Sequence, residues 1–195
     1  MPRRSHPVQV VNSYVEYLNS LINGVLSDSR LVSLKAGGGP QSRRNITSFQ
    51  GGARLPIRLK PAGFLFFDQL VEVVEKVGGQ ALQVLTYTHI FGWSDSQKDK
   101  DAWVFRYEYD RHPNAQGKPH AHLHLNAHHS SGFSYEDYHF PTGRISVEQL
   151  IAILLHEWEI EPRMDKDAAF DTLRESYAGY VLRRTDLQEI PPPFP

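Results

Sequence analysis

The segments Trp103-Val-Phe-Arg-Tyr-Glu-Tyr-Asp110 and His120-Ala-His-Leu-His-Leu-Asn-Ala127 decide the fold of this chain. In both of them apolar side chains alternate with polar ones. Successive side chains of a β-strand point to opposite faces, so this alternation predicts two strands that each have one apolar face. Because only residues 111–119 separate the segments, we expect them to pair as an antiparallel hairpin over a core.

The polar face of this hairpin is the candidate catalytic site. In a centred register its residues would form three opposed pairs: Asp110 with His120, Glu108 with His122, and Arg106 with His124. Carboxylates, imidazoles and a guanidinium are the groups that a hydrolytic or phosphoryl-transfer site needs. We expect His122, the central imidazole, to be a surface residue that matters more for activity than for stability. The alternative is a solvated polar face with cross-strand charge pairs.

The spacing of the alternating histidines is also compatible with a binding site for a divalent metal. Histidines two residues apart on a strand have Cα atoms about 6.8 Å apart, so both can reach one ion through bonds of about 2.1 Å. His120 and His124 are too far apart to share one ion readily. A metal would therefore use one adjacent pair together with Glu108, Asp110 or a distant residue. Whether a metal or any other cofactor binds stays open from the sequence.

The composition narrows the class of protein. A length of 195 residues fits one domain, or one domain with an appendage. The absence of cysteine excludes disulfides, thiolate metal sites and a cysteine nucleophile. We find no stretch of 18 apolar residues and no signal peptide after Arg3 and Arg4. The sequence therefore predicts a cytoplasmic protein without a membrane contact, and it leaves the oligomeric state open.

Charge is distributed unevenly along the chain. Residues 1–60 contain nine Lys/Arg and two Asp/Glu, a net +7, whereas residues 61–195 contain twelve and twenty, a net −8. A basic segment favours contact with a polyanion such as RNA. The candidate nucleic-acid-binding residues are Arg43, Arg44, Arg54 and Arg58. The alternative is that the two parts of the chain dock on each other.

Apolar spacing and turn residues outline the elements of the first half. Apolar residues at helical spacing predict an amphipathic helix over residues 8–26. Residues 36–52 are rich in Gly, Ser and Pro and predict a mobile loop. A second helix is predicted from Pro61 to Gly79, with Phe64, Phe67, Leu70, Val71 and Val74 on one stripe.

The second half is predicted to form a sheet followed by helices. The predicted strands are Ala81–Phe91, Ala102–Asp110 and His120–Ala127, with an edge piece at Tyr138–Pro141. Ser146 and Gln149 form a capping-box signature before a helix that stops ahead of Pro162, and a last helix is predicted over residues 165–184. The fold class is therefore α+β, an antiparallel meander of three to five strands with helices packed on one face. The predicted division is a basic helix and glycine-rich loop over 1–60, a core over 61–189 and a proline-rich tail over 190–195.

Residues 103–160 resemble the TumE-type toxins of bacterial toxin–antitoxin pairs. The matching residues are Arg106-Tyr-Glu-Tyr-Asp110, Gly117-Lys118-Pro119-His120-Ala121-His122, an aromatic-rich strand ending at Phe140, and Ile145-Ser-Val-Glu-Gln-Leu150 at the start of a helix. The resemblance implies a small cytosolic toxin-like protein that acts on RNA and is neutralised by an antitoxin partner.

The segment from His120 to Ala127 also resembles, more locally, the motif of the histidine-triad nucleotide hydrolases and transferases. In that family the middle histidine attacks a phosphate, and here it would be His122. Asn126 stands where that motif has an apolar residue. The sequence thus predicts a toxin-like, RNA- or nucleotide-directed hydrolase. The alternatives are a histidine-triad-like enzyme and a non-catalytic module that binds a metal or a partner.

Overall fold

The computed structural model describes residues 7–37, 42–50, 53–76, 79–96, 102–112, 119–128, 130–131 and 134–181. The strands are β1 (Leu31–Lys35), β2 (Arg43–Gln50), β3 (Ala53–Arg54), β4 (Ile57–Arg58), β5 (Phe64–Lys76), β6 (Gly79–Gly92), β7 (Trp103–Asp110), β8 (Ala121–Leu125) and β9 (Phe140–Pro141). The helices are α1 (Pro7–Val25), α2 (Val147–Glu157) and α3 (Lys166–Ser176), and a π-helical turn over Tyr177–Val181 follows α3.

The strands form one antiparallel sheet in the order β1-β2-β5-β6-β7-β8-β9, with β3 paired to β2 and β4 paired to β5. From β5 to β9 each strand pairs with the next one along the chain, as short connections favour. The α+β class and the antiparallel meander are confirmed. The described sheet has nine strands rather than the three to five predicted.

The predicted helix from Pro61 to Gly79 is wrong, because Phe64–Lys76 is the strand β5. Its burial alternates, with Leu65, Phe67, Val71 and Val73 facing the core. In this apolar-rich segment some residues also fall at helical spacing, so the sequence supports two periods. Pairing with β6 along its whole length selects the extended one, because the ladder satisfies its backbone groups and its β-branched and aromatic side chains suit a sheet.

The predicted loop over residues 36–52 is also wrong in part, because Arg43–Gln50 is the strand β2. This strand lies between β1 and β5, and its Ile46 is fully buried opposite Gln69. Two neighbouring strands thus order a segment that looks polar and loop-like in the sequence. Residues 38–41 and 51–52 of the predicted loop lie outside the described residues. The sheet and core extend across residue 60, where a boundary was predicted.

The helices pack on one face of the sheet, as predicted. Tyr14 of α1 donates a hydrogen bond to Gln69 of β5 at 2.9 Å. On the same face, Trp158 at the end of α2 packs against Phe91 and Phe105, with ring centroids 5.3 and 5.8 Å away. We call this the helix face of the sheet. Among the described residues, no helix is long and apolar enough to cross a membrane.

The last two helices begin where the sequence predicts them. In α2 the Ser146 hydroxyl accepts from the Gln149 backbone N–H at 3.1 Å, and the Gln149 side chain accepts from the Ser146 N–H at 2.7 Å. In α3 the Asp165 carboxylate accepts from the first-turn N–H groups. Residues 182–184 of the predicted last helix and the tail 190–195 lie outside the described residues.

We expect Ser146→Ala to lower the free energy of unfolding by about 1 kcal/mol, because an N-terminal N–H of the helix loses its acceptor. Denaturant unfolding measures the change. Thr172→Ala is the matched control, since it removes a helical hydroxyl that bonds to the Ala168 carbonyl at 2.8 Å and to the Met164 sulfur at 3.9 Å but accepts from no N-terminal N–H of the helix. Equal effects of the two substitutions would contradict a capping role for Ser146.

Candidate active site

The pairing of β7 with β8 places the predicted polar residues together. Glu108 lies opposite His122 and Arg106 lies opposite His124, which is the centred register predicted from the sequence. Their side chains leave the sheet on the side away from the helices, because the alternating Phe105 packs into the core. We call this second side the open face. The candidate site therefore lies on the open face, near the sheet edge formed by β8 and β9.

Glu108 is the centre of this cluster. Its Oε2 lies 3.1 Å from Nε2 of His122 and 3.5 Å from Nε2 of His124, and its Oε1 lies 3.0 Å from Nε of Arg106. The side chains of Glu108 and Arg106 are 30% and 33% exposed, whereas those of His122 and His124 are 6% and 4% exposed. The carboxylate and the guanidinium are thus the groups of this cluster that an incoming molecule reaches.

Both buried imidazoles are held through Nδ1. His122 Nδ1 lies 3.2 Å from the Pro119 carbonyl, and His124 Nδ1 lies 3.0 Å from the Glu136 carbonyl. A carbonyl oxygen only accepts, so Nδ1 carries the proton in each ring and Nε2 points to Glu108. Burial lowers the pKa of His124 below its ordinary value, and the hydrogen bond to the Glu136 carbonyl opposes this shift.

The expectation that His122 is a surface imidazole is wrong, because only 5% of this residue is exposed. The neighbouring strand β9 and the segment that supplies the Glu136 carbonyl lie beside β8 at this edge. Replacing His122 would therefore disturb packing as well as chemistry. For this reason its substitution alone does not separate a catalytic role from a structural one.

His139 is a member of the cluster that sequence reasoning missed. It precedes Phe140, which pairs with Leu123 of β8, so His139 lies beside His124 on the open face. Its ring centroid is 4.7 Å from that of His122 and 4.5 Å from that of His124. One ring nitrogen from each of the three histidines lies within 4.8 Å of the others. The predicted edge strand at Tyr138–Pro141 was the signal that could have placed His139 here.

Two predicted site residues lie apart from this cluster. His120 is exposed and its Nδ1 lies 3.0 Å from the Asp110 carbonyl, so it is held at the end of the hairpin. The Asp110 carboxylate accepts from the His112 backbone N–H at 2.8 Å. The structure thus brings together Arg106, Glu108, His122 and His124. The third histidine of the cluster is His139 rather than the predicted His120.

The predicted nucleic-acid-binding arginines divide between the two faces. Arg43 lies 3.1 Å from Glu72, and Arg54 lies 3.5 Å from Asp68, both on the open face. Arg58 is on the same face, with its guanidinium 5.8 Å from the centre of the Phe64 ring. Arg44 lies opposite Val71, on the helix face. Ion pairing partly neutralises Arg43 and Arg54, although both side chains stay well exposed.

A cavity of about 660 Å³ on the open face adjoins the cluster. Its lining comprises Thr47, Ser48, Arg54, Leu55, Phe66, Phe67, Asp68, Thr88, Ile90, Asp95 and Ser96. Thr88 lies directly opposite Glu108, and Ile90 lies opposite Arg106. Directly opposed residues have Cβ atoms about 5 Å apart. The cavity therefore lies one strand away from the Glu108 carboxylate, and Arg54 is at its far side.

Comparisons with known proteins identify no family for this chain. No protein-family model, no curated protein and no solved structure matches the chain. The resemblances to TumE-type toxins and to the histidine-triad motif therefore stay predictions. The geometry of the open face is the basis on which a function is assigned.

Proposed function

We propose that this protein is a hydrolase of phosphodiester bonds in RNA or nucleotides, with its active site on the open face at Glu108. The observation that carries the proposal is the convergence of two imidazole nitrogens and one guanidinium on a single carboxylate within 3.5 Å. The Arg106 guanidinium at 3.0 Å fixes the position of this carboxylate, from which it can accept a proton. A general base of this kind typically accelerates a reaction by about 10²–10⁴-fold.

The exposure of each group suggests its role. Glu108 and Arg106 are more exposed than His122 and His124, so we assign the contact with substrate to them. Glu108 accepts a proton from a water molecule whose oxygen bonds to phosphorus, and Arg106 stabilises the negative charge that develops on the phosphate oxygens. The bond from phosphorus to the leaving oxygen then breaks, and that oxygen takes a proton from solvent. His122 and His124 lie behind them and act as positioning residues. Arg106 also has its guanidinium 5.5 Å from the centre of the Trp103 ring, which restrains its plane.

The surroundings of the cluster favour a nucleic acid as the substrate. Phe66 and Ile90 give the adjoining cavity an apolar floor on which a base can stack, and Arg54, which is paired with Asp68, lies at its far side. Arg43 and Arg58 lie on the same face and can contact the phosphates of a longer strand. A single-stranded RNA that crosses the open face would thus bring one phosphate to Arg106.

The resemblance to TumE-type toxins adds a biological setting to this proposal. In that setting the protein acts in the cytoplasm and an antitoxin protein neutralises it. An antitoxin would have to restrict access to Glu108 or Arg106, because these groups carry the proposed chemistry. Growth inhibition on expression, and its relief by a partner encoded beside the protein, are the measurements that address this part.

The test is cleavage of an end-labelled single-stranded RNA by the full-length chain at low salt. We expect cleavage by the wild type, and a rate lower by about 10²–10³-fold in Arg106→Met, because the charge on the phosphate loses its partner. Arg174→Met is the matched control: Arg174 also forms an ion pair with an acidic residue, Asp171, at 2.8 Å, but it lies on α3. RNA binding is measured in parallel at two salt concentrations.

Two results would contradict this proposal. Cleavage that persists unchanged in Arg106→Met would place the chemistry elsewhere. RNA binding without cleavage by any preparation of the wild type would favour the non-catalytic alternative, a module that binds a metal or a partner. The deep burial of His122 and His124 is the observation that supports this alternative.

A further inference from the structure

The three clustered histidines have the arrangement of a metal-binding site. Metal-binding histidines usually donate the N–H of the other ring nitrogen to a carbonyl or carboxylate, which fixes the ring and its tautomer. His122 and His124 both do so, through Nδ1 and the carbonyls of Pro119 and Glu136. The two carbonyls come from different segments of the chain. The fold thus anchors two rings independently, with the same nitrogen of each facing Glu108.

The Nε2 atoms of His122 and His124 both face the Glu108 carboxylate, whose other oxygen contacts Arg106. With Nδ1 protonated, Nε2 of a neutral ring carries a lone pair, and both Nε2 atoms face the same carboxylate oxygen at 3.1 and 3.5 Å. Lone pairs that face one another at this distance repel. Nε2 of His124 is buried and makes no hydrogen bond. A cation between these atoms turns the repulsion into attraction.

The spacing of the donors suits one small ion. Nitrogens bound at about 2.1 Å around a tetrahedral ion are about 3.4 Å apart. The three histidine nitrogens lie within 4.8 Å of one another. Rotation of the rings therefore has to move each nitrogen by at most about 1–2 Å to reach this geometry. Imidazole nitrogens favour zinc, copper, nickel and iron over magnesium and calcium, which prefer oxygen ligands.

We propose that His122, His124 and His139 bind one divalent transition-metal ion of the zinc class, with the Glu108 carboxylate as an oxygen donor on its fourth side. His122 and His124 lie on β8, and His139 immediately precedes β9. The pairing of β8 with β9 therefore brings the three histidines together. The proposal concerns binding and holds whether or not the site is hydrolytic. If the proposed function also holds, the ion lies at the active site.

The test is metal binding by the full-length, tag-free chain after removal of metal with a chelator. Titration with Zn²⁺ in a calorimeter should show one ion per chain, and Co²⁺ should give the visible absorption of a tetrahedral site with nitrogen and oxygen donors. Thermal unfolding should shift upward with added Zn²⁺, because a ligand that binds only the folded state stabilises it.

Two variants identify the ligands. His139→Asn should lower Zn²⁺ affinity by more than about 100-fold, since loss of a mere supporting partner already costs about 10–100-fold. His120→Asn should leave the affinity unchanged, because this exposed ring lies away from the cluster although it belongs to the same row in the sequence. The melting temperature of metal-free His139→Asn shows whether the variant is folded. His139 is less buried than His122 and His124, which makes it the safest of the three to replace.

Each outcome decides the proposal. Absence of saturable binding by the wild type, or equal losses in His120→Asn and His139→Asn, would overturn it. A nuclear magnetic resonance spectrum in which protons occupy both Nε2 positions in the presence of Zn²⁺ would overturn it as well. Zn²⁺ binding without RNA cleavage would support the site and count against the proposed hydrolase. RNA cleavage that survives complete metal removal, in a chain that binds no Zn²⁺, would support the proposed hydrolase and count against the metal site.

Discussion

Glu108→Gln is expected to lower the rate of RNA cleavage by about 10²–10⁴-fold, the contribution of a general base. Glutamine has nearly the same size and keeps an oxygen that can face one imidazole, but it has no negative charge and cannot take up the proton. It also leaves Arg106 without its partner at 3.0 Å. The measurement is single-turnover cleavage of labelled RNA at fixed pH, with thermal unfolding recorded for the same preparation.

Glu157→Gln is the control for this substitution. Glu157 also lies beside a histidine, with its Oε1 3.6 Å from Nδ1 of His156, but the pair is exposed at the end of α2. We expect its cleavage rate to equal that of the wild type. A Glu108→Gln protein that is folded and fully active would remove Glu108 from the proposed chemistry. A loss of Zn²⁺ affinity in this variant would in addition assign Glu108 to the metal site.

His89 is expected to make the fold sensitive to acid. It is 1% exposed on the helix face, and the rings of Phe67 and Tyr87 lie 4.5 and 4.8 Å from its own. Its Nε2 lies 3.4 Å from the side-chain nitrogen of Gln69, whose oxygen accepts from Tyr14, so the ring nitrogen is an acceptor and the ring is neutral. Burial lowers the pKa of His89 to about 3.

The direction of the pH effect follows from this shift. Well above an unfolded pKa of about 6.5 the ring is neutral in both the folded and the unfolded chain, so it contributes no pH dependence there. Below an unfolded pKa of about 6.5 the unfolded chain binds a proton that the folded chain refuses, so stability falls as pH falls, until the folded pKa is reached. The contribution lost between pH 6.5 and 4 is about 3 kcal/mol, at about 1.36 kcal/mol per pH unit.

The measurement is the free energy of unfolding by denaturant at several pH values between 7 and 4. His89→Gln has a similar volume, keeps an acceptor for Gln69 and cannot titrate, so its stability should depend less steeply on pH than that of the wild type. His156→Gln removes an exposed histidine and should keep the wild-type slope. Parallel curves for the wild type and His89→Gln would contradict the prediction.

The part of the site that the sequence determined is local. Both β7 and β8 carry a strict alternation, and a one-residue slip would turn every polar residue of either strand into the core. The face on which these polar residues lie therefore followed from the pattern. Their pairing agrees with the centred register that we assumed, which alternation alone does not select, because a slip of two residues keeps every side chain on its face. The capping box of α2 was equally predictable, because both of its hydrogen bonds lie within four residues.

The errors occurred where two local readings were equally good. Residues 64–76 satisfy a helical and an extended period at once, and only the long ladders with β2 and β6 select the strand. The polar segment Arg43–Gln50 has little strand signal, and its order comes from neighbours on both sides. Pairing energy comes from partners that are distant in the chain, so a window of sequence does not contain it.

The fold class and the face on which the polar residues of β7 and β8 lie could be predicted from the sequence. Tertiary structure alone decided that His139 replaces His120 beside His122 and His124, because β9 must first pair with β8. It also decided that the imidazoles are buried and that His89 is enclosed between two aromatic rings. Alternation assigns a residue to a face, whereas burial and proximity depend on which distant segments cover that face.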